Sequence, residues 1–286
     1  MSSFASDDVN LDLPRPQLDL CFARRGDVTV LERRRFRWPF VLTRTFALDA
    51  HPRHMLTVIV QTGAGALHGG DRLAQHIAVE EGAAAHVTTP GASCVYRADP
   101  RLESRDQVSL NVAADGYLEY LPEPRILFPD AALEQSLEIE CAPGGVALIS
   151  DAFTVHDPTG FGRGFRRLRS STILRCQGEL ALTERLDIDD LGIGAAAKFT
   201  AFASLIVAAP GGLAKCMGLA EDLTWTFAST ESPYGAASLL PGDMGVGVRL
   251  AAPELRDVRD GIAAVWRATR CAFYGTPPAP RRKEAG

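Results

Sequence analysis

Four stretches of the chain share one rhythm. RLAQHIAVEEGAAAHVTTP, QVSLNVAADGYLEYLPE, QSLEIECAPGGVALISD and STILRCQGELALTERLD each alternate apolar and polar residues, turn at a glycine, and alternate again. Alternation puts successive side chains on opposite faces of a strand, so each stretch predicts two half-buried strands joined near Gly82, Gly116, Gly144 or Gly178. These glycines follow one another at 34, 28 and 34 residues. One such unit buries a single face, and a near-constant repeat is what stacked β-units with a continuous core require. A β-sandwich with evenly spaced hairpins gives the same spacing, and the pattern alone does not separate the two.

The flanks read differently. Upstream, LDLCFARRGDVTVLERRRFRWPFVL holds two alternating runs around Arg25-Gly26-Asp27, which is hairpin chemistry, and MLTVIVQTG reads as a buried strand. Pro39 and Pro52 argue against helix there. Beyond residue 190 the chain is rich in small residues, with a strand expected near Phe202–Val207 and the spacing of a short helix in LAKCMGLAEDL. A longer helix is predicted last: Pro253 suits its first turn, Leu255, Val258, Ile262, Val265 and Trp266 recur at helical intervals, and Gly275 stops it. The expected organisation is a flexible N-terminus over 1–14, one β-rich domain over 15–275 and a disordered tail over 276–286.

Composition narrows the function classes. With 286 residues, 46% of them hydrophobic and 23% charged, the chain is expected to be a soluble globular protein. A net charge of −5 offers no positive field for nucleic acid, and the cluster Arg33, Arg34, Arg35 and Arg37 reads as the solvated face of an edge strand. No apolar run approaches the roughly 20 residues of a membrane span, and MSSFASDDVNLDL is not a secretory signal. Six scattered cysteines without a CxxC pair imply reduced thiols and a cytoplasmic location.

Candidate chemistry starts at TGAGALHGGDRL. A phosphate loop needs a lysine and a hydroxyl after its last glycine, and a dinucleotide fingerprint needs a helix; the chain supplies Asp71 and then an alternating strand. Asp71 and His68 could begin a metal site, since carboxylate and imidazole suit nickel, zinc or manganese, but an aspartate accepting N–H bonds in a tight glycine turn fits equally. The remaining histidines show no HxH or HExxH spacing, although His76 and His86 fall in adjacent strands and could face each other. There is no GxSxG, and nothing nearby activates Cys94 as a nucleophile. Glu119, Glu123, Asp151 and Glu184 lie at or near strand positions with apolar neighbours, and a group of partnered acids in a β core points to function.

The order of motifs resembles the urease accessory protein UreD (UreH) family: GGDRL, then GAAAHVTTPGASCVYR, then YLEYLPEPRILF, then TERLDI, then a late AVWRATR. The resemblance spans roughly residues 18–270 and rests on Gly69, Gly70 and Asp71; on Thr88, Thr89, Pro90, Gly91, Tyr96 and Arg97; on Glu119, Leu121 and Pro122; and on Glu184 with Arg185. The chain departs from the family pattern at Cys94, at Leu121-Pro122-Glu123-Pro124, and in the loop from His156 to Arg163. The resemblance implies a mainly β fold with coiled, helix-like stacking of strands and a few helices. It implies no catalysis and no tightly bound cofactor. It further implies a scaffold that binds a UreF-like helical accessory protein, through it a UreG-like GTPase, and the urease apoenzyme, as a dimer of heteromeric complexes. Carried over by position, Asp71, Asp151 and Glu184 would line a transient passage for Ni²⁺, with His68 a weaker candidate.

Two other classes stay open. A β-solenoid carbohydrate-active enzyme would place a carboxylate pair about 5–10 Å apart in a groove, though aromatic platforms are few. A metal-free protein-interaction module would need none of these acids.

Overall fold

The computed structural model describes residues 15–99, 101–189 and 197–280, so the predicted N-terminal segment 1–14 and the last residues of the predicted tail lie outside the described residues. The architecture is mainly β, with 51% of residues in strands and two helices, and its strands stack as coils resembling a β-solenoid.

The hairpin of β1 (Leu18–Arg25) and β2 (Val28–Phe36) turns at Gly26-Asp27 as expected, and β3 (Phe40–Phe46) pairs antiparallel with β4 (Met55–Thr62). Three coils follow, each a short strand, a strand of one sheet and a strand of the other. They are β5 (Ala66–Leu67), β6 (Arg72–Val79) and β7 (Ala84–Thr88); β8 (Ser93–Val95), β9 (Ser104–Val112) and β10 (Tyr117–Leu121); and β11 (Arg125–Leu127), β12 (Ala132–Cys141) and β13 (Val146–Val155). Equivalent strands of successive coils are parallel and in register.

The chain then runs through β14 (Arg167–Cys176), β15 (Glu179–Asp189), β16 (Ala201–Ala208), α1 (Leu213–Ala228), β17 (Tyr234–Leu239), β18 (Gly245–Ala252) and α2 (Leu255–Tyr274). One sheet has the order β15-β14-β12-β9-β6-β1-β2, and the other β17-β18-β16-β13-β10-β7-β4-β3.

Gly82, Gly116 and Gly144 carry the chain from the first sheet to the second, as the repeat predicted. The fourth unit differs. Gln177 and Gly178 both take positive φ, 54° and 79°, which is the two-residue hairpin conformation, so β14 reverses into β15 within one sheet and ends the stack.

Burial explains the residue choice. On the first sheet β9 alternates buried and exposed, because its outer face meets water. On the second, β10 and β13 are buried almost throughout, because α1 and α2 cover the outer face. Two cores result: Leu20, Phe22, Leu110, Ile149 and Phe165 lie between the sheets, and Leu148, Leu205, Leu223, Val248 and Val265 lie between sheet and helices.

The strand near residues 202–207 and both helices stand where expected, although Pro253 precedes α2, whose N-cap is Glu254. Gly275 ends α2 as predicted. His76 and His86 do not face each other: β6 and β7 belong to opposite sheets, and His76 Nδ1 instead meets Asp19 at 2.9 Å. All six cysteines are free. Among the described residues no helix is long and apolar enough to cross a membrane.

Candidate functional site

The GGDRL loop joins β5 to β6. The Asp71 carboxylate accepts the His68 N–H at 2.8 Å, while the Asp71 N–H donates to the His68 carbonyl at 3.0 Å, so the aspartate closes its own turn. Gly70 takes a φ of +91°, and a Cβ on Gly69 would lie 2.7 Å from the Ala98 backbone, so both glycines are required by geometry. Gly69→Val is therefore expected to lower stability by about 1–3 kcal/mol in urea unfolding, with little change for Gly65→Asn earlier in the same loop region, where space is open and φ is also positive. His68 is exposed and packs against Tyr96 with tilted rings, centroids 5.5 Å apart.

A polar track runs through the interior between the sheets. Asp106 on β9, Gln135 on β12 and Ser170 on β14 stand directly opposite one another on neighbouring strands, all inward and buried. From the facing sheet, Asp151 on β13 accepts Gln135 Nε2 at 2.6 Å and the Ser170 hydroxyl at 2.6 Å. Asp106 accepts Gln75 Nε2 at 3.0 Å and pairs with the Arg125 guanidinium. Glu184 on β15 accepts the Ser204 hydroxyl at 3.3 Å and pairs with Arg249.

Two cavities flank this track, and Asp151 lines both. The smaller, about 30 Å³, is also lined by Asp106, Tyr120, Arg125, Gln135 and Ser150. The larger, about 380 Å³, has Glu184 and Arg249 on its polar side and Phe153, Leu186 and Phe202 among its apolar walls. The structure thus brings Asp151 and Glu184 to one cavity. Asp71 lines neither.

A second buried group sits on the other face of the second sheet. Glu119 and His86 are paired neighbours on β10 and β7, with His86 Nδ1 at 2.8 Å from Glu119 Oε2. Arg270 of α2 donates to both oxygens of Glu119, at 2.8 and 2.7 Å, and lies 3.3 Å from Asp49. The Tyr117 hydroxyl donates to Glu119 at 3.2 Å, and Trp266 stacks on His86 at 5.0 Å.

The side chains of Glu119, Arg270 and Asp49 are fully buried. Burial alone would raise the Glu119 pKa, but hydrogen bonds from His86 and Arg270 outweigh it and bring it down to about 2. Arg270 is likewise held above its ordinary value, its bonds to Glu119 outweighing the cost of burial. Shut off from solvent in this way, the cluster clamps α2 to the sheet.

Among the described residues one set of three His, Cys, Asp or Glu side chains has its potential ligand atoms within 4.8 Å of one another, and it lies away from the track: Cys21, Glu32 and Glu80. Burial, then the hydrogen bond to Glu80, pushes the Cys21 thiol up to about 11, which opposes the thiolate a metal needs.

A family model described as UreD urease accessory protein matches residues 15–285. The chain belongs to the UreD family. Urease accessory protein UreD 2 of Bradyrhizobium sp. (strain BTAi1) is 49% identical over 251 residues, 87% of each chain. UreD 1 of Methylorubrum extorquens (strain PA1) is 35% identical over 274 residues, 94% of this chain and 92% of that one, and UreD of Natronomonas pharaonis is 30% identical over 272 residues, 91% and 88%.

The UreD motifs pack on one another in adjacent coils. The Thr88 hydroxyl donates to the Leu121 carbonyl at 2.7 Å, and Thr89 Oγ1 accepts the Glu123 N–H at 2.9 Å while donating to the Gly91 carbonyl at 3.2 Å. Leu121 is buried, Pro122 lines the smaller cavity, and Pro90 lies in the turn after β7. Tyr96 packs against Phe128 with tilted rings, centroids 4.8 Å apart; Arg97 and Arg185 are exposed, the first bridging to Ala131. From AVWRATR come both Trp266 and Arg270. The interior residues that sequence reasoning did not single out are Asp106 and Gln135, which no motif marks, and Arg125 and Arg270, which lie inside the PRILF and AVWRATR motifs.

Proposed function

We propose that this UreD is a non-catalytic scaffold of urease maturation that lets Ni²⁺ pass along the Asp106–Asp151–Glu184 track toward apo-urease, in complex with a UreF-like helical protein and, through it, a UreG-like GTPase. The observation that carries the reading is the position of Asp151, an inward-facing acid shared by two adjoining cavities between the sheets. The groups of the track able to ligate a metal are carboxylate, hydroxyl and amide oxygens, a donor set that holds a divalent transition metal loosely and lets it go. A cage of thiolates and imidazoles would retain the ion instead.

The apolar walls of the larger cavity support the same reading. They offer no further ligands, and each acid is held in place by a neighbouring donor. A cytoplasmic site of action fits the six free thiols.

The test is co-expression of the tagged chain with urease and its other accessory proteins, followed by affinity capture and urease assay. The expected result is recovery of a helical accessory protein and a GTPase, with urease active in cells that carry the chain and inactive in cells that lack it. Recovery of neither, with urease equally active without the chain, would overturn the reading.

A further inference from the structure

We propose that Cys141 and Cys176, the last residues of β12 and β14, are a redox-active pair that closes into a disulfide under oxidising conditions and staples the terminal β14–β15 hairpin to the coil stack. The pair stands apart from the acids of the track and does not depend on a cation route.

Three observations lead to it. The first is register. β12 and β14 pair in parallel without a shift, and their last matched residues are Ile139 with Leu174 and Glu140 with Arg175, so the next two, Cys141 and Cys176, stand side by side. Both continue the inward phase of their strands, Cys141 after Ile139 and Cys176 after Leu174. Neighbouring strands lie about 4.8 Å apart, inside the Cα separation of roughly 4.4–6.8 Å that a disulfide spans. Among the described residues no other two cysteines stand opposite each other on paired strands.

The second is that the two strand ends are already tied together. The Gly178 N–H, two residues beyond Cys176, donates at 3.1 Å to the carboxylate of Glu140, the neighbour of Cys141. Each cysteine also precedes a turn with a positive-φ glycine, Gly144 after the first and Gly178 after the second. The approach of about 1 Å that the two Cβ atoms need for a disulfide therefore falls on strand ends rather than on strand interiors.

The third is the asymmetry of the pair. Cys141 is fully buried whereas Cys176 is partly exposed, which suits one thiol that meets a reagent and one that resolves it. The Cys176 thiolate attacks a low-molecular-weight disulfide such as oxidised glutathione, forming a mixed disulfide and releasing one glutathione thiolate. The Cys141 thiolate then attacks Cys176 Sγ, which closes the protein disulfide and releases the second; the two protons lost by the protein end on the two glutathione thiols. Burial, then the neighbouring Cys176 and Glu140, pushes the Cys141 thiol up to about 12. Its thiolate is scarce at neutral pH, so closure is slow and answers sustained rather than brief oxidation.

The experiment equilibrates the full chain under native conditions in glutathione buffers from fully reduced to fully oxidised, blocks the remaining thiols by alkylation, and maps the peptides by mass spectrometry. The expected result is a linked peptide joining Cys141 to Cys176, reversed by excess reduced glutathione. The linked chain is expected to unfold at a midpoint about 5 °C or more above the reduced one, because the bond closes a long loop. Cys176→Ser is expected to form no such link and to show no shift on oxidation, whereas Cys271→Ser, at an exposed thiol on α2, leaves the link unchanged.

No linked peptide in fully oxidised glutathione, or glutathione left on Cys176 without closure, would overturn the proposal. So would a link that appears only when urea is added, since the pair would then meet only in the unfolded chain. A link formed under native conditions without a rise in the unfolding midpoint would overturn the staple. These readouts come from the wild-type chain, so they hold even if Cys176→Ser fails to fold.

Discussion

Arg270→Met is expected to destabilise the protein by about 3–5 kcal/mol, read as a lower midpoint in guanidinium unfolding. The guanidinium is fully buried and answers two carboxylates, Glu119 through a bidentate contact and Asp49 at 3.3 Å. Methionine matches much of its volume, so the loss comes mainly from two buried acids left short of their cation rather than from a cavity. Glu119→Leu in the same background is expected to recover part of the loss, because replacing a buried pair by apolar groups is far cheaper than breaking it. A shift under about 1 kcal/mol for Arg270→Met alone would show that the clamp contributes little.

The same cluster sets a pH dependence. Glu119 titrates at about 2 in the folded chain against an ordinary 4.5. Its folded pKa is depressed, so its contribution is fully present above pH 4.5 and is lost as pH falls toward 2. The amount is on the order of 3 kcal/mol. In Arg270→Met the loss across that window is expected to shrink, since the hydrogen bonds that lower the Glu119 pKa are partly gone. An identical acid profile in both proteins would assign the acid sensitivity elsewhere.

The strand pattern and the interior site differ in how far the sequence exposes them. Alternation over four units located β6, β7, β9, β10 and β12 to β15 but not the short β8 and β11 between them, because a strand with one wet face must alternate and a strand of three residues is too short to show it. It did not reveal that Gly178 ends the stack, since coil turns and hairpin turns use glycine alike and only the paired positive φ at Gln177 separates them. The acids Asp151 and Glu184 were visible as polar residues among apolar ones. Asp106 was equally visible, as an aspartate in the apolar phase of SRDQVSLNV, followed at every second position by Val108, Leu110 and Val112.

What hid Asp106 was its partners. Gln135 and Ser170 occupy the same inward position on the next two strands, and only the parallel register of the coils makes three separate polar residues one row. Glu119 and Arg270 are 151 residues apart, so no local spacing could join them. The GGD motif drew attention for its density of glycine, yet its aspartate is spent on its own turn, because a loop that approaches the Ala98 backbone so closely has N–H groups to satisfy.

That difference between acids makes the proposed passage testable residue by residue. Asp151→Asn/Glu184→Gln is expected to reduce urease activation in cells by roughly tenfold or more while leaving complex formation intact. A dication about 6 Å from one carboxylate, at an effective dielectric of about 20, gains roughly 5 kcal/mol of Coulomb energy. Hydration that the ion gives up on entry cancels much of that, but a residue of about 1.4 kcal/mol already changes a rate tenfold. The amides preserve the packing: the new carboxamide on β13 still accepts from Gln135, and the one on β15 still meets the Ser204 hydroxyl. Asp71→Asn removes a carboxylate that lines neither cavity, so it is expected to leave activation near wild type after allowance for a weaker turn. Full activation by the double variant, with complexes recovered at the wild-type level, would leave a protein that assembles the maturation complex without handling the metal; a loss in Asp71→Asn as deep as in the double variant would move the route out of the space between the sheets and toward the GGD loop.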